Sequence, residues 1–179
     1  MTSLNPKPLA RRVLQVKPSI RSVWVMVLLI FVLDMAFKSW VHQQLDDLQV
    51  INVTPFFNLV HVHNTGAAFS FLADAGGWQR WLFIGVAGAI SSWLAWSLSR
   101  SFSQLERIAF ASLLGGALGN LVDRLFRGYV VDYLDLNWQA WHWPAFNLAD
   151  MAICAGAVLL VWHSFKIASP NANESKTSP

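Results

Sequence analysis

Apolar residues along this chain gather into four long runs, at about 22–41, 78–98, 108–126 and 147–167. Each is close to the ~20 residues that a helix rising ~1.5 Å per residue needs to cross ~30 Å of hydrocarbon. The runs lack the polar face of a helix on a soluble domain. The pattern predicts an all-α membrane protein with four transmembrane helices in one domain at 21–168. A basic arm at 1–20 and a polar, disordered tail at 169–179 flank it. Between spans 1 and 2 the pattern changes. From Leu48 to Val62, β-branched and aromatic residues partly alternate, which predicts short strands. Asn64-Thr65-Gly66-Ala67-Ala68-Phe69-Ser70 then reads as a turn into a short helix that Gly76-Gly77 ends. The expected outer loop is a small β platform with a short interfacial helix.

Composition sharpens this picture. The chain is 55% hydrophobic and only 13% charged, against roughly 25% charged residues in an ordinary soluble domain. The net charge of +3 matters less than its distribution. Lys7, Arg11, Arg12, Lys17 and Arg21 precede span 1, Arg100 and Arg107 lie between spans 2 and 3, and Lys166 and Lys176 follow the heart of span 4. The two opposite connections hold only Arg80, Arg124 and Arg127. By the positive-inside rule both termini are expected in the cytoplasm. The ten tryptophans fall near span ends or in the outer loops, as in an aromatic belt. The basic groups are too dispersed to suggest nucleic-acid binding. The first apolar run is too long for a signal-peptide core and no small-x-small cleavage site follows, so it is expected to remain as span 1. The single cysteine, Cys154, excludes an intrachain disulfide and a thiol oxidoreductase, and is expected to be a packing residue of span 4.

Polar residues inside or at the rim of the runs carry the chemical information. Asp34 and Lys38 share one helical face in the outer third of span 1. They form either a neutralising pair whose lysine snorkels to the interface or a brace for a polar cavity. Asn120, Asp123 and Arg124 close the outer end of span 3, and an amide as deep as Asn120 requires a partner on another helix or on a substrate. Asp132, in Gly128-Tyr129-Val130-Val131-Asp132-Tyr133, is expected in a short extended segment just outside span 3. Asp135 is expected to be a solvated loop acid. Asp150 begins span 4, where Asn147 and Asp150 also fit a capping-box-like turn favoured by the helix dipole. Gly115 and Gly119 have the small-xxx-small spacing of close helix packing.

The topology returns Asp132 and Asp150 to the same rim. Two neighbouring carboxylates cannot both ionise cheaply, so one becomes an acid and the other a base. That is the equipment for hydrolysis of an amide by activated water. His-Glu-x-x-His, Gly-x-Ser-x-Gly and P-loop motifs are absent from the sequence. In His61-Val62-His63 the two rings are expected on opposite faces of a strand, and no metal site is expected there. A small transporter or channel with Asp34, Asp132 and Asp150 along an ion path is the competing reading. It predicts acids spread through the membrane depth. A non-catalytic assembly factor binding through Gly115 and Gly119 gives no reason for the converging aspartates.

The ordered segments Asp34 to Lys38, Asn64 to Ser70, Gly115 to Arg124, Gly128 to Tyr133 and Pro144 to Asp150 closely resemble the lipoprotein signal peptidase family, or signal peptidase II. The resemblance implies a bacterial aspartic endopeptidase of the cytoplasmic (inner) membrane, with its active site at the outer face. It would remove the signal peptide of diacylglyceryl-modified prolipoproteins, cutting before the lipid-modified cysteine. Asp132 and Asp150 fall on the family's catalytic positions. Asp34, Lys38, Asn64, Gly66, Asn120, Asp123, Arg124 and Asn147 fall on substrate-binding or supporting ones. No metal or organic cofactor is implied, and the implied partners are the prolipoprotein and membrane lipids. One departure is in span 1, where Asp34-Met35-Ala36-Phe37-Lys38 keeps the charged pair but lacks the glutamine and hydroxyl residue usual between them.

Overall fold

The computed structural model describes residues 19–66, 71–73, 75–100 and 103–168. Four helices form the body: α1 (Ile20–Gln44), α2 (Trp78–Leu98), α3 (Gln104–Phe126) and α4 (Leu148–Ala168). All four contain stretches long and apolar enough to cross a membrane. Four strands lie between them: β1 (Val50–Thr54), β2 (Phe57–Asn64), β3 (Val130–Trp138) and β4 (Trp141–His142). They form one antiparallel sheet in the order β1-β2-β3-β4.

α3 is the central helix and packs against each of the other three. Its small residues permit this. A Cβ on Gly116 would lie 2.4 Å from the carbonyl oxygen of Ala149 on α4, and one on Gly119 would lie 2.3 Å from the Asp34 carboxylate on α1. Neither position admits a methyl group without moving a neighbour. α3 starts four residues before its apolar run because Ser103 and Glu106 form a reciprocal capping box. That polar first turn conceals the helix start from a hydropathy reading.

Two apolar cores bracket a polar layer. Val23 and Val27 of α1, Leu94 and Leu98 of α2, and Phe110, Ala111 and Leu114 of α3 close the end away from the sheet. Val41, Val131 and Tyr133 pack under the sheet. Leu28, Leu29, Val32 and Leu33 of α1 instead stand exposed on the outer surface, an arrangement that water would penalise and lipid would not. All ten tryptophans are also exposed, in keeping with an interfacial belt rather than a buried core.

The strands expected between spans 1 and 2 are present as β1 and β2. The sheet is larger than expected because β3 and β4, from the connection between α3 and α4, complete it. Asp135 is consequently not a solvated loop acid. It is 6% exposed on β3 and accepts a hydrogen bond from Asn58 Nδ2 at 2.7 Å, with His142 Nδ1 at 2.9 Å. Neighbouring strands cover a side chain that the local sequence suggests is wet. Cys154 also departs from expectation: its side chain is exposed on α4, because the buried stripe of this helix runs along another face. The short helix expected after Asn64 falls largely on 67–70 and 74, outside the described residues, and 71–73 form a turn. Most of the arm and the tail also lie outside them.

Candidate active site

The polar layer is built on α1, α3 and the entry to α4. Lys38 is fully buried and does not snorkel. Its Nζ lies 2.7 Å from Asp34 Oδ2 and 3.1 Å from Asp123 Oδ2, and donates to Asn120 Oδ1 at 2.8 Å. The ammonium thus lies between two carboxylates and one amide oxygen. Arg127 pairs with the other oxygen of Asp123, and Asp123 Oδ2 accepts from the Val131 amide at 3.1 Å. Two carboxylates are neutralised by two cations, as burial requires.

This layer also shapes the start of α4. A helix leaves its first backbone N–H groups without intrahelical partners. Here the Leu148 amide donates to Tyr133 Oη at 3.1 Å, that of Ala149 to Asp34 Oδ1 at 2.9 Å, and that of Asp150 to Asn147 Oδ1 at 3.0 Å. Asp150 Oδ2 accepts in return from the Asn147 amide at 3.2 Å. The capping turn legible in the sequence is therefore real, and it uses only one oxygen of Asp150. Asp150 Oδ1 accepts from Asn120 Nδ2 at 2.8 Å.

Asp132 reaches the same place through β-pairing. Val62 stands opposite Asp132 across β2 and β3. Phe146 bridges Leu134, with its amide donating to the Leu134 carbonyl at 3.0 Å. The chain therefore enters α4 beside Asp132. Asn147 Nδ2 donates to Asp132 Oδ1 at 2.6 Å and Asn64 Nδ2 to Asp132 Oδ2 at 2.9 Å. Asn147 thus holds both acids. Asp132 is 2% exposed, and neither acid forms an ion pair with a lysine or arginine among the described residues. Burial first, and then the negative charge of Asp150, push the Asp132 carboxyl from 3.8 up to about 7.

The other expected residues gather around the pair. Arg124 Nη2 donates to Gly66 O at 2.8 Å, anchoring the turn after β2, and its Nε is buried without an acceptor among the described residues. Arg80 donates to the Arg124 carbonyl at 2.8 Å. Two apolar grooves lead away. One, of about 450 Å³, runs from Asn64 and Asp150 along Trp143, Phe146, Met151 and Cys154. The other, of about 230 Å³, lies among Phe83, Val86, Ile90 and Ile153 below Asn120 and Arg124.

Arg127, Tyr133 and Arg80 were not anticipated as site residues. Arg127 could have been, since it lies four residues after Asp123 on α3's last turn. Tyr133 and Arg80 act through tertiary contacts that leave no local signal. The expectation for His61 and His63 is overturned. Their Nε2 atoms are 3.2 Å apart, because side chains alternate with a period of two along a strand and residues two apart share a face. His42 of α1 joins them.

Fold and site together define a multi-pass membrane protein whose acids Asp34, Asp123, Asp132 and Asp150 cluster at one end of a four-helix bundle. Over residues 26–166 the chain matches the family of signal peptidase (SPase) II. It is 52% identical over 149 residues to a lipoprotein signal peptidase of Pseudoalteromonas atlantica, covering 82% of this chain and 90% of that one. It is 51% identical over 140 residues to one of Serratia marcescens, covering 78% and 82%. Two solved structures described as bacterial membrane enzymes, obtained by the in meso method, share the fold. One has a TM-score of 0.78 at 26% identity, covering 90% of this chain and 98% of that one. The other has 0.72 at 25% identity, covering 84% and 96%. The chain belongs to the signal peptidase II family and is a peptidase.

Proposed function

We propose that this protein is an aspartic endopeptidase that removes the signal peptide of diacylglyceryl-modified prolipoproteins, cutting before the lipid-modified cysteine. The observation that carries the reading is the Asp132–Asp150 pair, in which each carboxylate is held by amide donors and, among the described residues, neither by an ion pair with lysine or arginine. Such a pair shares a proton rather than bracing a fold. Clustering of the acids at one end also disfavours an ion path, which would need them through the membrane depth.

Asp132 is the group on which the shared proton rests, since burial and its neighbour's charge favour its neutral form. Asp150 lies in the first turn of α4, where the helix dipole complements a negative charge. Asp150 takes a proton from water as the water oxygen attacks the scissile carbonyl carbon. Asp132 gives its proton to the carbonyl oxygen as the tetrahedral intermediate forms. On collapse the carbon–nitrogen bond breaks, Asp150 delivers its proton to the leaving amine, and Asp132 recovers its own. Each step conserves protons, and the aspartates end as they began.

The two apolar grooves suit a substrate that brings a signal helix and acyl chains to one scissile bond. The Arg124 Nε–H, without an acceptor among the described residues, provides a donor for substrate backbone or headgroup oxygen. The charge distribution favours cytoplasmic termini, hence a reaction at the outer face of the bacterial inner membrane. The test is purified protein in detergent with a diacylglyceryl-modified prolipoprotein, followed by mass shift, alongside Asp132→Asn and Asp150→Asn. Loss of cleavage in both, with thermal unfolding preserved, supports the mechanism. Cleavage surviving in either removes that residue from the reaction.

A further inference from the structure

A second group of ligating side chains lies at the sheet end of the bundle, apart from the acids. His42 is on the last turn of α1, while His61 and His63 are on β2. Val62 faces Asp132 across the sheet, so His61 and His63 alternate onto the opposite face of the strand.

The spacing of the rings is informative. A zinc ion bound tetrahedrally at ~2.0–2.1 Å from each imidazole nitrogen sets neighbouring ligand atoms about 3.3–3.4 Å apart. His61 Nε2 lies 3.4 Å from His42 Nδ1 and 3.2 Å from His63 Nε2. All three ligand atoms fall within 4.8 Å of one another, and a small rotation of the exposed His42 ring closes the triangle. The tautomer also suits a metal. His61 Nδ1 is 3.0 Å from the carbonyl oxygen of Leu45, so its proton is directed there and Nε2 keeps its lone pair. The His63 ring is held by stacking on Tyr129 at a centroid separation of 3.8 Å. Asp47 Oδ1 is 3.3 Å from His63 Nε2, within reach of a fourth ligand position.

We propose that His42, His61 and His63, with Asp47, bind a zinc-like divalent cation that ties the end of α1 to β2. Imidazole donors suit a borderline metal such as zinc rather than calcium or magnesium, which prefer oxygen. The ion supplies no atom to hydrolysis. It steadies the strand whose other face presents Asn64 to Asp132. The alternative is a metal-free cluster in which His61 Nε2 accepts hydrogen bonds from both neighbours.

The experiment uses full-length, tag-free protein in detergent, stripped with chelator and titrated with zinc by calorimetry and with cobalt(II) by visible absorption. The proposal expects one ion per chain, a Kd of about 1 μM or tighter, and the intense cobalt bands of tetrahedral coordination. His42→Gln, at an exposed position that should not disturb folding, weakens binding at least ~10-fold and abolishes the rise in unfolding temperature that zinc produces in the wild type. Failure of the wild type to bind stoichiometrically, a purely octahedral cobalt spectrum, or unchanged binding in His42→Gln each overturns it. These readouts do not depend on peptidase activity, so the functional reading stands or falls separately.

Discussion

Two groups of aspartates lie within a few side chains of each other and are treated in opposite ways. Asp34 and Asp123 are fully buried and share the Lys38 ammonium, with Arg127 on Asp123 as well. Asp132 and Asp150 are held by Asn64, Asn120 and Asn147 and by a backbone amide. In the first group charge cancels charge, and the carboxylates serve as fixed acceptors for α4 and β3. In the second, neutral donors orient the acids without removing their electrostatic conflict, so a proton is retained. The first pair is fixed by cations; the second is oriented by amides, as the proposed exchange of protons requires.

The sharpest break in this comparison is functional. Asp132→Asn and Asp150→Asn are each expected to reduce cleavage by ~10³-fold or more, measured by mass shift of the prolipoprotein, while unfolding in detergent stays close to wild type. Lys38→Met should do the reverse. It leaves Asp34 and Asp123 without their shared cation and should cost about 3–5 kcal/mol of stability, seen as a large fall in unfolding temperature with activity lost as a consequence. If Lys38→Met folds as well as wild type, the brace is not ionic. Gly119→Ala places a methyl group against Asp34 and should cost about 1–3 kcal/mol by the same measurement.

The pH dependence sharpens the contrast further. Burial and the charge of Asp150 push the Asp132 carboxyl from its ordinary 3.8 up to about 7, so between these values the native state binds more protons than the unfolded one. Stability therefore falls as pH rises from ~4 to ~7, by at most about 1.4 kcal/mol per unit, and levels off above. Asp132→Asn should flatten that slope in thermal unfolding at stepped pH. Cleavage by the wild type should decline above about pH 7 as the shared proton is lost. The smallest effect is expected at Asp135, whose partners are Asn58 and His142. Asp135→Asn should leave cleavage within several-fold and lower stability by about 1 kcal/mol.

Much of this was legible along the chain. The four spans followed from run length, since bilayer thickness imposes a constraint that each helix meets by itself. The polar residues at one rim of the spans stood out because hydrocarbon makes any buried amide or carboxylate conspicuous. The capping turn at Asn147 and Asp150 was also visible, being local. Resemblance to a known family then pointed to Asp132 and Asp150 as the pair to test.

Tertiary structure decided which groups meet. Only the packing of α1 against α3 shows that Lys38 serves Asp123 and Asn120 as well as its own neighbour Asp34. Only the pairing of β2 with β3, and of Phe146 with Leu134, delivers Asp132 and Asp150 to opposite sides of Asn147. Burial of Asp135 and convergence of His42 on His61 and His63 depend on the same long-range registers. Hydropathy and capping are properties of neighbours in the chain and can be read from it. Partner choice depends on segments tens of residues apart, and is settled when the helices and the sheet close on one another.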